Sequence, residues 1–337
     1  MKHKLVSLLI SLVISLTCNC KQPEDSTFRI YAYLPDYRPT SDLPLACDLV
    51  TDVMAFSAEI DPASVPFLSS TRVKLAGMDR ILSRDVMEKA RAVGGCRFSL
   101  VVGGGGRSGS FAELAGTASS SRALANTVAN AARNSGFDGV SYDWEYPNSN
   151  KQWDAYARLL KFTRAALGDD MTLSMAVHPS RDTFIAMKRL RLTTLVDMTH
   201  IMAYDSPLGA GQSHSSVQLA HAIMEHLTAS GISPGALSLG VPFYGRKTTG
   251  ALDAKTYEEL RRDGRSFDPS LDFIDGYAFN SVRTLREKVR AAKAFGFGGV
   301  MIWELGQDVT PYSRADSLLL AVASEACGES PVRGDEL

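Results

Sequence analysis

No block of like charge runs through this chain of 337 residues. Its 36 Lys and Arg are offset by 37 Asp and Glu, which leaves a formal net charge of −1. A basic face of the kind that binds nucleic acid is therefore not expected. Cysteine is scarce, with only Cys18, Cys20, Cys47, Cys96 and Cys327. None of the last three stands at a metal-ligand spacing. At most one disulfide could join two of them, and the expectation is buried free thiols that act as small apolar groups. His178, His200, His214, His221 and His226 are scattered, and the last two are spaced wrongly to share a metal on one helix face. No metal and no cofactor is expected. Long apolar runs are missing too, apart from one at the N-terminus.

That run reads as a secretory signal. Lys2 and Lys4 give a positive start, Leu5 to Leu16 an apolar middle, and the signal extends to about Asn19. Cys20 and the polar residues behind it resemble a bacterial lipoprotein signal, with Cys20 as the lipid site. Residues 20–27 are then a linker, 28–327 one domain and 328–337 a tail. The protein is expected to be secreted or anchored to the cell envelope. Membrane contact is expected only through that lipid, and a monomer is expected.

Within the domain, short apolar stretches alternate with helical ones. Eight strands are expected at Phe28–Leu34, Leu49–Ala58, Arg97–Gly103, Phe137–Glu145, Met171–His178, Val196–Tyr204, Ala236–Phe243 and Gly298–Glu304. They show little polar alternation, as strands covered on both faces do. Helical periodicity predicts Asp85–Ala92, Ser121–Asn134 closed by Gly136, Lys151–Leu167, Ser216–Thr228, a helix capped by Ser281 and running to Lys293, and Ala315–Ala326. Eight strand–helix alternations in this length predict an α/β fold, a closed parallel (β/α)8 TIM barrel. A doubly wound open sheet is the runner-up.

Chemistry in such a barrel sits at the C-terminal strand ends. Those ends offer Tyr33, Phe56, a run of four glycines from Gly103 to Gly106, His178, Met202 with Tyr204 and Asp205, Tyr244 with Arg246, and Trp303. The glycine run has no Gly-Lys-Ser/Thr behind it, so it is not a phosphate-binding loop. The fourth end carries Asp143 and Glu145, two positions apart. On one strand face they lie roughly 6–7 Å apart. Two anions buried together are costly, so one tends to keep a proton. A protonated carboxyl beside an ionised one suits cleavage of a glycosidic bond. The bland alternative is a solvated acidic strand end, but Phe137, Val140, Tyr142 and Trp144 argue for burial. Aromatic residues at neighbouring ends suit the apolar faces of sugar rings.

The stretch from Asp138 to Pro147, DGVSYDWEYP, resembles the D-G-x-D-x-D-x-E signature of glycoside hydrolase family 18, the chitinase family. The stretches around Met202-Ala203-Tyr204-Asp205, Pro242-Phe243-Tyr244-Gly245-Arg246 and Gly298–Glu304 resemble its later strand motifs. The resemblance covers about Phe28 to Asp308. It implies hydrolysis of β-1,4 bonds at N-acetylglucosamine units, in chitin or its oligosaccharides, with retention by substrate assistance. Glu145 would be the acid and then the base. Asp143 would hold the acetamido N–H, and Tyr204 the acetamido oxygen. Trp303 would be the floor. Tyr33, Phe56, Ser141, Met202, Asp205, Tyr244 and Arg246 would be cleft contacts.

Two positions depart from the pattern. Ser141 stands where the family has Asp, and Val102 or Gly103 stands where it has Ser. Without a neighbouring charge, Asp143 is expected to ionise more readily. Only about 35 residues lie between Arg246 and Ser281, which implies no large insertion there and a shallow cleft suited to endo-action. Two other readings stay open. One is an endo-β-N-acetylglucosaminidase acting on N-glycans or peptidoglycan. The other is a catalytically weak, lectin-like chitin-binding protein.

Overall fold

The computed structural model describes residues 28–61, 74–206, 213–249, 253–262, 268 and 270–328. The leader, Cys20, the linker and the C-terminal tail beyond Gly328 lie outside the described residues. Eight strands form the centre: β1 Arg29–Pro35, β2 Asp52–Ile60, β3 Arg97–Gly103, β4 Gly139–Asp143, β5 Thr172–Val177, β6 Met198–Ile201, β7 Leu237–Pro242 and β8 Gly299–Trp303. Each pairs in parallel with the next. β8 also pairs with β1 along Arg29↔Gly299 to Ala32↔Ile302. That pairing closes the ring and excludes the open sheet.

A helix follows each strand. The helices are Leu43–Cys47, Arg84–Gly94, Ala118–Ser135, Asn150–Leu167, Arg181–Leu190, Val217–Ala229, Val282–Ala294 and Leu318–Cys327. Their starts follow local chemistry. The hydroxyls of Thr117, Ser149, Ser180, Ser216, Ser281 and Ser317 each accept a bond from a first-turn N–H. Gly136 ends its helix at φ +81, as the sequence predicted. The helix Arg181–Leu190 was not anticipated, since charged residues interrupt its few apolar ones and Ile185 is exposed.

Alternation along the strands divides the core in two. Outward residues such as Leu100, Val140, Tyr142, Leu173 and Val241 pack under the helices. Tyr142 reaches across to Thr163 of the helix Asn150–Leu167, hydroxyl to hydroxyl at 2.9 Å. Inward residues Tyr31, Tyr33, Met54, Phe56, Val101 and Met301 fill the barrel. At its lower end Asp52 bonds Arg29 and Arg97 at 2.7 and 3.0 Å. Between β7 and β8 the chain makes a small antiparallel sheet from Tyr244–Lys247, Ala254–Thr256, Phe273–Ile274 and Tyr277–Ala278. The short interval thus holds a compact insertion, not a bare loop.

The free-thiol expectation fails. Cys47 and Cys96 form a disulfide across 49 positions, tying the end of one helix to the start of β3. Cys327 is not a free thiol either. The sequence could not show that Cys47 and Cys96 meet, because only barrel closure brings their segments together. Replacing both by Ala is expected to lower unfolding free energy by roughly 2–4 kcal/mol. Urea denaturation of the variant beside the wild type measures it.

Candidate active site

β4 ends at Asp143, because the chain must leave the sheet before Pro147. Glu145 therefore lies just beyond the strand and not in its pleat. The two carboxyl groups still share one cleft of about 310 Å³ at the C-terminal end of the barrel. Trp144 turns the other way, stacked on Phe111 at 5.3 Å, and anchors the strand end in the outer core. Asp138 accepts the Phe98 N–H at 2.8 Å and pairs with Arg91 at 2.7 Å. It joins neighbouring strands at the opposite end and takes no part in the cleft.

The glycine run brings β3 against the carboxylates. Gly104 N–H donates to the Asp143 carbonyl at 2.6 Å. A Cβ on Gly103 would stand 2.3 Å from that same carbonyl oxygen, and φ there is +103. A Cβ on Gly104 would stand 2.3 Å from the Phe56 ring, and φ there is +100. The glycines are thus needed for close approach. Ser108 completes the join. It accepts the Glu145 N–H at 3.0 Å and donates toward the carbonyls of Gly104 and Asp143.

Asp143 is buried, and burial followed by the nearby Glu145 holds its carboxyl well above the usual range. Replacing the expected Asp by Ser141 removes one charge, but burial outweighs it, so Asp143 does not ionise readily. Glu145 opens further onto the cleft. Burial raises its pKa as well, with the Tyr146 hydroxyl and Gly105 N–H opposing in part. A raised carboxyl is a proton donor poised for work near neutrality. Ser141→Asp is expected to raise the alkaline limb of a pH–rate profile, because a third carboxyl strengthens the hold on the shared proton. Coincident profiles for variant and wild type would contradict this account.

Three aromatic rings of the cleft lie against one another. Trp303 stands 4.8 Å from Phe56 and 5.4 Å from Tyr33, ring centre to ring centre. Met202, Tyr204, Asp205 and Tyr244 line the same cleft. Asp205 accepts the Tyr244 hydroxyl at 2.7 Å and two Arg246 bonds at 2.8 and 2.6 Å. Burial would raise its carboxyl, but bonds from Arg246 and Tyr244 hold it well below the usual range. Asp205 is thus a fixed anion beside two carboxyl groups whose pKa values are raised.

Nine of the expected residues line the cleft: Tyr33, Phe56, Asp143, Glu145, Met202, Tyr204, Asp205, Tyr244 and Trp303. Two do not. Ser141 is fully buried one pleat below Asp143, and Arg246 is engaged with Asp205. The position facing Ser141 in register is Val101, not Val102 or Gly103. Val101 points inward, whereas Val102 belongs to the outer core. Tyr37, Gly105, Arg107, Tyr146, Ala176, His178 and Met301 also line the cleft. Of these the sequence pointed to His178 and the glycines as strand-end features; no pattern marked Tyr37 or Arg107. Arg107 is held by Asp36 at 3.0 and 3.1 Å, so its charge is already answered. Among the described residues no cluster of His, Cys, Asp and Glu suits a metal ion.

Comparison with known proteins agrees with this geometry. The sequence is 27% identical over 279 residues to "Chitinase A1" of Niallia circulans, covering 61% of this chain and 40% of that protein. The chain thus spans less than half the length of that relative. The GH18 chitinase ChiB of Flavobacterium johnsoniae superposes with a TM-score of 0.72 at 23% identity, over 89% of this chain and 94% of that one. A GH18 chitinase from Cycas revoluta, solved in complex with (GlcNAc)3, superposes with a TM-score of 0.69 at 20% identity, over 89% and 99%. The sequence profile of "Glycosyl hydrolases family 18" matches residues 29–308. With most of the domain covered by that match, the chain belongs to glycosyl hydrolase family 18.

Proposed function

We propose that this protein hydrolyses β-1,4 bonds at N-acetylglucosamine units of chitin or chitooligosaccharides, as an endo-acting enzyme that retains anomeric configuration. The observation that carries the reading is the Asp143–Glu145 pair, both raised in pKa, in one cleft with the rings of Trp303, Tyr33 and Phe56. Glu145 gives its proton to the leaving glycosidic oxygen as that bond breaks. The acetamido carbonyl oxygen of the same sugar closes on the anomeric carbon. An oxygen of the Asp143 carboxyl accepts the acetamido N–H and so takes up part of the positive charge that develops there. The Tyr204 hydroxyl orients the acetamido oxygen. Glu145, now a carboxylate, takes a proton from water, and the hydroxide reopens the ring at the anomeric carbon. Substrate assistance of this kind departs from the usual two-carboxylate scheme.

Export fits this reading, because a polymer such as chitin lies outside the cell. The leader would direct it, with Cys20 as a lipid site and the protein acting as a monomer.

The test is release from chromogenic chitobiose and chitotriose glycosides. Release supports the proposal. Cleavage confined to a high-mannose glycopeptide or to peptidoglycan would move the substrate to those polymers. Binding of chitotriose without cleavage of any of them would replace hydrolysis by sugar binding.

A further inference from the structure

Three hydrogen bonds tie residues 214 and 215 to the segment that carries Tyr204 and Asp205. Ser215 Oγ donates to the Ala203 carbonyl at 2.7 Å. The Asp205 N–H donates to His214 Nδ1 at 3.3 Å, and the Ser206 N–H to the His214 carbonyl at 3.1 Å. Asp205 needs such restraint. Its φ is +53, in the left-handed region that a residue with a Cβ seldom occupies. A conformation of that kind persists only where its surroundings fix it.

The tie is itself anchored by Lys288 on the helix Val282–Ala294. Lys288 is fully buried beside Leu285, Val289 and Ala292 on an otherwise apolar face. Its Nζ donates to the Ser215 carbonyl at 2.6 Å, to Ser215 Oγ at 2.8 Å and to Asn280 Oδ1 at 2.6 Å. Asn280 Nδ2 donates to the same Ser215 carbonyl at 2.8 Å. Among the described residues no carboxylate pairs with the ammonium. Asp272 acts on it only from a distance, and its oxygens accept from the Ser281 N–H and Thr284 hydroxyl. Burial pushes the Lys288 amine down to about 7. A buried lysine without a counter-ion is an expensive way to fill a helix face that Leu or Met would fill. Its Nζ nonetheless has three acceptors within hydrogen-bond distance, two of them on Ser215.

We infer that Lys288 is a positioning residue: through Ser215 it fixes the backbone at Ala203, and so the placement of Tyr204 and Asp205 in the cleft. Neither Lys288 nor Ser215 lines the cleft. Their effect on a sugar must therefore pass through that segment. The inference rests on the proposed hydrolysis for its kinetic readout, but not for its binding readout.

The experiment is a double-mutant cycle of Lys288→Met and Ser215→Ala. Reporter hydrolysis is measured in one series. Chitotriose affinity is measured by calorimetry in a second series that also carries Glu145→Gln. Each single change is expected to lower kcat about tenfold and weaken chitotriose binding about tenfold, and the double to fall no further than the worse single. A variant that is only less stable loses active molecules but keeps the KM and affinity of those still folded. Wild-type KM and affinity in both singles, or losses that multiply in the double, would overturn the inference. If Lys288→Met does not fold, Ser215→Ala decides alone: it removes only the hydroxyl between the ammonium and Ala203, and wild-type affinity there overturns the idea. A wild type that binds chitotriose but cleaves nothing removes the hydrolytic reading and leaves the binding cycle to decide this one.

Discussion

Glu145→Gln is expected to lower kcat on a chitotriose reporter by about 10²–10⁴-fold while leaving chitotriose affinity within a few-fold of wild type. Glutamine keeps the shape of the side chain and can still occupy the place beside the Gly105 N–H and the Tyr146 hydroxyl. It cannot give a proton to the leaving oxygen. The loss therefore falls on the chemical step and not on ground-state binding. Steady-state kinetics and calorimetry on the same preparation separate the two. A loss that appears mainly in KM would show that Glu145 binds sugar and does not carry the proton.

Asp143→Asn is expected to lower kcat by about 10²–10³-fold, the scale for removing one electrostatic partner of a charged transition state. It should also make the protein more stable at neutral pH. Asp143 is raised above its unfolded value near 3.8 by burial and then by Glu145. Between the two values the native state holds a proton that the unfolded chain has released. Stability contributed at this position is thus present at low pH and lost as pH rises through the folded pKa. Asparagine carries no such penalty. The gain in Tm over wild type should be larger at pH 7 than at pH 4, and thermal melts across that range measure it. A gain independent of pH would mean that Asp143 is already paired and ionised. Loss of activity with gain of stability is what a strained catalytic group predicts.

Much of the barrel was legible because its rules are local. The apolar stretches around Arg97–Gly103 and Met171–His178 became strands within a residue or two of their expected ends. Ser281 and Gly136 cap their helices through bonds to near neighbours, which a linear reading can see. The wall of the cleft was legible for the same reason: a strand end is a sequence position, and the fold says that such ends converge. Arg246 was named correctly as part of a strand-end motif, yet its guanidinium is taken up by Asp205. Which of two neighbouring polar groups faces the ligand is settled by packing, not by position in the chain.

The sequence by itself determined the alternation of strands and helices, the family, and the two carboxylates with their aromatic surroundings. Residue type and period specify these without reference to distant parts of the chain. The tertiary structure decided what depends on residues far apart in sequence. It joined Cys47 to Cys96 and set Val101 opposite Ser141. It buried Asp143 deeply enough that desolvation outweighs the missing charge at Ser141. It also placed Lys288 beneath Ser215, 73 positions away. Desolvation and hydrogen-bond geometry depend on distances through space, and only the closed barrel sets those distances.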